Sequence, residues 1–273
     1  IPQHTGSFTS TQDVNGYGGE TMAVSRFPDY FKRLTDQDPF PWQEALYEKF
    51  AAGEIPTSCD LPTGLGKTSA IAVWLIALIL HPDKMPRRLV YVVNRRTVVD
   101  QTTVEVEKFR ARLETIEDRP AHASELAIST LRGQFADDRA WSADPSRPAV
   151  ICGTVDMIGS RLLFSGYGVG FKAKPLHAGF LGQDSLLIHD EAHLEPAFQK
   201  LLEGVVAEQK RCQDWRPLRV MALSATARTS QVNGLAPKPF ELTDDERNPP
   251  AKLPSPARKP IHHIWQRLKA HKA

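Results

Sequence analysis

Two stretches of this chain hold the residue types that phosphoanhydride chemistry needs. The first is Asp60-Leu61-Pro62-Thr63-Gly64-Leu65-Gly66-Lys67-Thr68-Ser69. Gly64 and Gly66 let a backbone curl around an anion, Lys67 reaches β and γ phosphates as a point charge, and the Thr68 hydroxyl can ligate Mg²⁺. The general spacing G-x-x-x-x-G-K-[ST] wants glycine where this chain has Leu61, so the strict pattern fails at one position and holds at the rest. The second stretch is His189-Asp190-Glu191-Ala192-His193. Here Asp190 is suited to hold Mg²⁺, mostly through water, and Glu191 to orient and deprotonate an attacking water. His193 is placed to sense the γ-phosphate and pass the state on. Lys67, Asp190 and Glu191 are therefore the candidate catalytic set. A glycine turn with an incidental lysine and an acidic strand cap are the bland readings, and two independent motifs in this order weigh against both.

These side chains need a strand, a helix and a shared sheet edge to meet. Ile55 to Cys59 reads as a short strand, and Ala70 to Leu80 as a helix buried on most faces. The loop between them then lies at a helix N-terminus, where free N–H groups and the helix dipole favour a polyphosphate. Ser185 to Ile188 reads as a buried strand with the acidic pair at its carboxyl end. Leu218 to Leu223 reads as another, running into Ser224-Ala225-Thr226, where the Ser224 and Thr226 hydroxyls can bond the acidic turn and couple it to movement. Leu89 to Val93 is a third, with Asn94, Arg95, Arg96 and Thr97 at its carboxyl end and a helix from Val98 to Leu113. Ala127 to Leu131 and Pro148 to Gly153 add two more. Thr154 follows as a helix N-cap, with Asp156 beside it in a helix to Leu163. In an open α/β sheet that edge binds ligands, so Asn94, Arg95, Arg96, Thr97, Thr154 and Asp156 are candidate nucleic-acid contacts; a solvated basic turn is the alternative. A helix from Trp42 to Ala52, stopped by Gly53, presents Gln43, whose amide can read adenine while Phe40 or Trp42 covers the base. A surface glutamine on a helix with a core tryptophan is the bland reading. The fold class that results is α/β: a mostly parallel sheet of about seven strands with helices on both faces.

The rest of the chain sets bounds. With 273 residues, 41% apolar and 24% charged, it is long enough for a sizeable core. A net charge of +2 implies no nucleic acid by itself. Cys59, Cys152 and Cys212 are odd in number and lack C-x-x-C spacing, which excludes a disulfide framework or zinc ribbon and suggests buried thiols in a reducing cytoplasm. The longest apolar run is too short to span a bilayer, so no membrane is expected and the chain is placed in the cytoplasm. Residues 1–25 read as a flexible lead, 26–230 as one domain and 231–273 as a Pro-rich basic linker. Ser165 to Gln183, with five glycines, reads as a long mobile loop. His189-Asp190 spells the dipeptide of metal-dependent phosphohydrolases, but it lies on a strand and lacks the further ligands such a site needs; His262-His263 has no carboxylates at ligand spacing.

The loop Pro62 to Thr68 in the form P-T-G-x-G-K-T, the box Asp190 to His193, the triplet Ser224 to Thr226 and Gln43 occur together in the order of superfamily 2 helicases. Over Phe27 to Arg228 the chain resembles the first RecA-like, P-loop NTPase domain of that superfamily. The resemblance implies ATP and Mg²⁺ as cofactors, ATP hydrolysis as the activity, and Pro62, Thr63, Gly64, Leu65, Gly66, Lys67, Thr68 and Ser69 with Gln43 as the nucleotide cradle. Val92 to Gln101, Thr154 to Leu163 and His177 to Gly182 look like the helicase-nuclease of type I CRISPR systems, especially type I-G. That likeness implies translocation on single-stranded DNA and recruitment by a crRNA-guided surveillance complex. It also implies a second RecA-like domain and an HD nuclease domain, for which this sequence shows no motif; the chain reads as a truncated or split helicase.

Overall fold

Six stretches of three to six residues and one of two lie side by side: Ser58–Asp60 (β1), Arg88–Val93 (β2), Ala127–Leu131 (β3), Ala149–Thr154 (β4), Ser185–Asp190 (β5), Arg219–Ser224 (β6) and Phe240–Glu241 (β7). They form one sheet of order β3-β4-β2-β5-β6-β1-β7, and every neighbouring pair is parallel. This computed structural model describes residues 18–62, 64–116, 125–132, 140–224 and 240–241.

Parallel neighbours need crossovers, and helices supply them on both faces. The helices are Gly18–Thr35 (α1), Pro41–Ala52 (α2), Ala70–Leu80 (α3), Arg96–Glu114 (α4), Ala140–Ala143 (α5), Val155–Leu162 (α6), Lys174–Gly182 (α7) and Pro196–Cys212 (α8). Alternation along the strands divides the core between two layers. From β2, Leu89, Tyr91 and Val93 join the cluster under α1 to α4, whereas Val90 and Val92 join the cluster under α5 to α8. All six residues of β2 are buried, which explains why its sequence is a continuous apolar run. Helix α3 is buried from Ala70 to Ile79, so it lies inside the first layer with α1 and α2 packed over it.

Several elements differ from the expectation. The strand read at Ile55 to Cys59 is Ser58–Asp60, because Ile55 and Pro56 precede the ladder, which begins where Ser58 faces Ala222. Helix α1 begins at Gly18, within the stretch 1–25 read as a flexible lead, and its Phe27, Tyr30, Phe31 and Leu34 repeat at helical spacing and are buried. Ser165 to Gln183 is not one long loop: a 3-10 turn at Phe171–Ala173 leads into α7. Burial of Ala178, Phe180 and Leu181 on the sheet outweighs the poor helix propensity of Gly179 and Gly182. Helix α8 has no counterpart in the expectation, although Phe198, Leu201, Leu202, Val205 and Val206 repeat at helical spacing and pack in or against the core. Cys59 and Cys152 are buried, but Cys212 is exposed at the end of α8. The linker read at 231–273 lies outside the described residues, save Phe240–Glu241.

Gly53 ends α2 as read, with φ of 82° and its N–H on the Lys49 and Phe50 carbonyls. A methyl group there would lie 3.7 Å from Lys84, an ordinary contact, so the cost of Gly53→Ala is conformational and not steric. Gly53→Ala is expected to lower the unfolding free energy by about 1–2 kcal/mol in urea denaturation, and Gly53→Asn by less, since asparagine tolerates this conformation.

Candidate nucleotide site

The phosphate loop starts from the ladder. The Leu61 N–H donates to the Ser224 carbonyl at 2.9 Å, and its side chain is fully buried. The position where the general pattern wants glycine thus extends the β1–β6 pairing by one residue and fills the core. Beyond it the chain bends through Gly64 at φ 91° and Gly66 at φ 69°, where a side chain would cost about 1–2 kcal/mol. A 3-10 turn, Lys67–Ser69, feeds directly into α3. Pro62 and Leu65 are half-buried, Gly64 and Gly66 exposed; Thr63 lies outside the described residues.

Across the sheet, the Asp190-Glu191 pair stands at the end of β5. Lys67 Nζ donates to Glu191 Oε1 at 2.8 Å, with the lysine 8% and the glutamate 33% exposed. The two halves of the expected catalytic set therefore face one another. Glu191 takes a left-handed backbone, φ 53° and ψ 41°, which is uncommon for a side chain of its size. Its N–H donates to Asp190 Oδ1 at 3.0 Å and its carbonyl accepts from Leu194 N–H at 2.9 Å. Asp190 Oδ2 accepts from the Tyr91 hydroxyl at 2.9 Å. Burial holds the Asp190 carboxyl above its ordinary value, and the Tyr91 hydrogen bond and the Lys67 charge pull it back only in part. Burial, with Asp190 beside it, raises Tyr91 well above its ordinary value. Next along β5, burial lowers the fully buried His189.

Two of the residues expected to couple the acidic turn to movement, His193 and Ser224, lie here too. Ser224 Oγ and His193 Nδ1 are 3.4 Å apart, and the same nitrogen lies 3.5 Å from Glu191 Oε2. Both are long contacts. Thr226 lies outside the described residues. Gln43 is buried, not on the surface. Its Oε1 accepts from the Phe40 N–H at 2.8 Å, and its Nε2 donates to Ser69 Oγ, which in turn donates to the Gly66 carbonyl. The amide read as an adenine contact thus also ties helix α2 to the back of the phosphate loop, a bond that no local spacing advertised. Tyr91 was missed as well; a polar-tipped ring in the run Leu89-Val90-Tyr91-Val92-Val93 was the available signal.

The candidate nucleic-acid residues share one edge. Val93 of β2 pairs with Thr154 of β4, so Asn94 to Thr97 and Thr154 to Asp156 leave the sheet side by side. Arg95, Arg96, Thr97 and Asp156 are exposed, Asn94 is half-buried and Thr154 buried. Thr154 occupies the N-cap position of α6, but its hydroxyl makes no cap bond. Among the described residues no group of three His, Cys, Asp or Glu side chains could hold a metal ion. A Mg²⁺ bound mainly by phosphates and water needs only one or two protein ligands, and Thr68 with Asp190 fits that donor set. No helix of the described residues is long and apolar enough to cross a membrane.

The sequence model of the family described as DEAD/DEAH box helicase matches residues 40–234. Among curated proteins none matches this sequence. Among solved structures, the helicase domain of Pyrococcus furiosus Hef is similar at 21% identity and a TM-score of 0.43, covering 71% of this chain and 34% of that one. The chain thus spans about a third of the length of that structure.

The raised Asp190 sets a pH dependence of stability. The folded chain holds this proton more tightly than the unfolded chain, so stability falls as pH rises from the unfolded value, near 4, through the raised one. Without nucleotide or Mg²⁺, Asp190→Asn is expected to raise the melting temperature near neutral pH, with the gain vanishing below about pH 4. A gain that persists undiminished at the acid end would remove burial of the charge as its cause.

Proposed function

The chain belongs to the DEAD/DEAH box helicase family, and from that membership we propose that it is the ATP-binding motor domain of an ATP-dependent DNA translocase. The observation that carries the reading is the 2.8 Å contact between Lys67 and Glu191, which brings the phosphate loop and the acidic strand tip into one cleft. Bound ATP with Mg²⁺ supplies a polarised terminal phosphoanhydride. The backbone N–H groups of the glycine-bent loop and of the Lys67–Ser69 turn that leads into α3, with the Lys67 ammonium, bind and neutralise its phosphates. Thr68 and Asp190 are the residues that would hold the Mg²⁺. The Glu191 carboxylate, once Lys67 turns to the phosphates, accepts a proton from water on the opposite side. Gln43 reads the adenine edge with the amide hydrogen and lone pair left over from its internal bonds. His193 and Ser224 feel a change at Glu191 through their contacts and pass it to β6.

The finer part of the proposal is DNA translocation in type I CRISPR interference. It is supported by the likeness of Val92 to Gln101, Thr154 to Leu163 and His177 to Gly182 to the helicase-nucleases of those systems. Exposed Arg95 and Arg96 beside Thr97, with Asn94 and Asp156 on the same edge, are the side chains that would hold single-stranded DNA. A crRNA-guided surveillance complex, a second RecA-like domain and an HD nuclease are the partners this reading needs.

Lys67→Ala is expected to lower ATP affinity about tenfold or more by calorimetry. Glu191→Gln should leave affinity nearly intact while reducing phosphate release by about 10²-fold or more. Turnover that survives in Glu191→Gln dismisses the assigned base. Single-stranded DNA is expected to bind more tightly than RNA of the same sequence, with affinity falling as salt rises and changing on addition of ATP and Mg²⁺. Preference for RNA would reassign the substrate, and binding indifferent to nucleotide would make the chain a passive nucleic-acid module.

A further inference from the structure

Tyr91 stands in the middle of β2, opposite Cys152 of β4 and Ile188 of β5, and is 1% exposed. Its side chain belongs to the layer that contains α3, so the phenol lies on the side of the sheet where the phosphate loop opens into its helix. The hydroxyl donates to Asp190 Oδ2 at 2.9 Å. A phenol has one proton, and an ionised carboxylate can only accept. The phenol proton is therefore the one that lies on Asp190.

We infer that Tyr91 is a positioning residue for Mg²⁺, orienting with its hydroxyl the Asp190 carboxylate on the metal side of the site. The inference rests on the ATP·Mg²⁺ reading of the site. An aspartate that ligates through water must keep its carboxylate from rotating, and here Tyr91 holds one oxygen while the Glu191 N–H holds the other at 3.0 Å. Such outer contacts tune metal affinity through ligand orientation. The bland alternative is a core tyrosine that found the nearest acceptor. That alternative places its whole effect on stability and none on the metal.

Tyr91→Phe keeps the ring that fills the core and removes one oxygen. Nucleotide affinity is measured with and without Mg²⁺ in both chains, together with melting temperature. The expected result is unchanged affinity without Mg²⁺ and a Mg²⁺ concentration for half-maximal enhancement raised about tenfold or more. In an Asp190→Asn background the same substitution should change the Mg²⁺ requirement much less. If Y91F lowers only the melting temperature and responds to Mg²⁺ as the unmutated chain does, the inference is overturned while the ATP site stands. An unmutated chain that binds no nucleotide overturns the proposed function and the inference with it. A second measurement needs no variant: with the hydroxyl-bearing carbon labelled in the five tyrosines, Mg²⁺ added to the nucleotide complex should move one resonance of a buried ring. No movement overturns the inference.

Discussion

A lysine and a glutamate 124 positions apart meet at 2.8 Å, and the rest of the site is arranged around that meeting. Lys67 is nearly buried and Glu191 is a third exposed, so the pair lies between the surface and interior limits. A surface pair contributes about 0–1 kcal/mol, and breaking a fully buried one costs about 3–5 kcal/mol. The larger effect is on conformation. The pair draws together a glycine-bent loop and a strand tip that share no local sequence, and it leaves a cation and a base on either side of one gap. Each group is also what a triphosphate and a water would require, so the contact joins stability and chemistry in the same atoms.

The acidic turn is held under strain. Glu191 has a left-handed backbone that costs a non-glycine residue about 1–2 kcal/mol. Bonds from its N–H to Asp190 and to its carbonyl from Leu194 offset that cost, and Tyr91 anchors Asp190 from below. Burial raises the Asp190 carboxyl above its ordinary value. Such a turn is maintained by its surroundings and not by its own sequence.

Most of the sheet was legible because its strands are continuous apolar runs ending in polar residues. Ala70–Leu80 and Ala127–Leu131 were read to the residue, for neither has a competing pattern. The phosphate loop and acidic box were legible because their chemistry demands particular side chains at short spacing. What sequence could not display was contact across the fold. Gln43 reaches Ser69 over 26 positions and Tyr91 reaches Asp190 over 99, and nothing in either neighbourhood announces the partner. Helix α7 differs for the opposite reason, since its glycines argue locally against a helix and packing on the sheet decides it, whereas α8 carries a legible helical stripe in Phe198, Leu201, Leu202, Val205 and Val206.

The order of strands has one more consequence. Between β1, which launches the phosphate loop, and β5, which carries the acids, stands only β6. Hydrogen-bonded strands are about 4.8 Å apart, so the backbones on either flank of β6 are separated by roughly 10 Å whatever residues they carry. The sheet acts as a ruler, and the loops mounted on it are interchangeable so long as their first residue keeps the ladder, as Leu61 does through the Ser224 carbonyl. A leucine in place of the usual glycine therefore leaves the opening the same width.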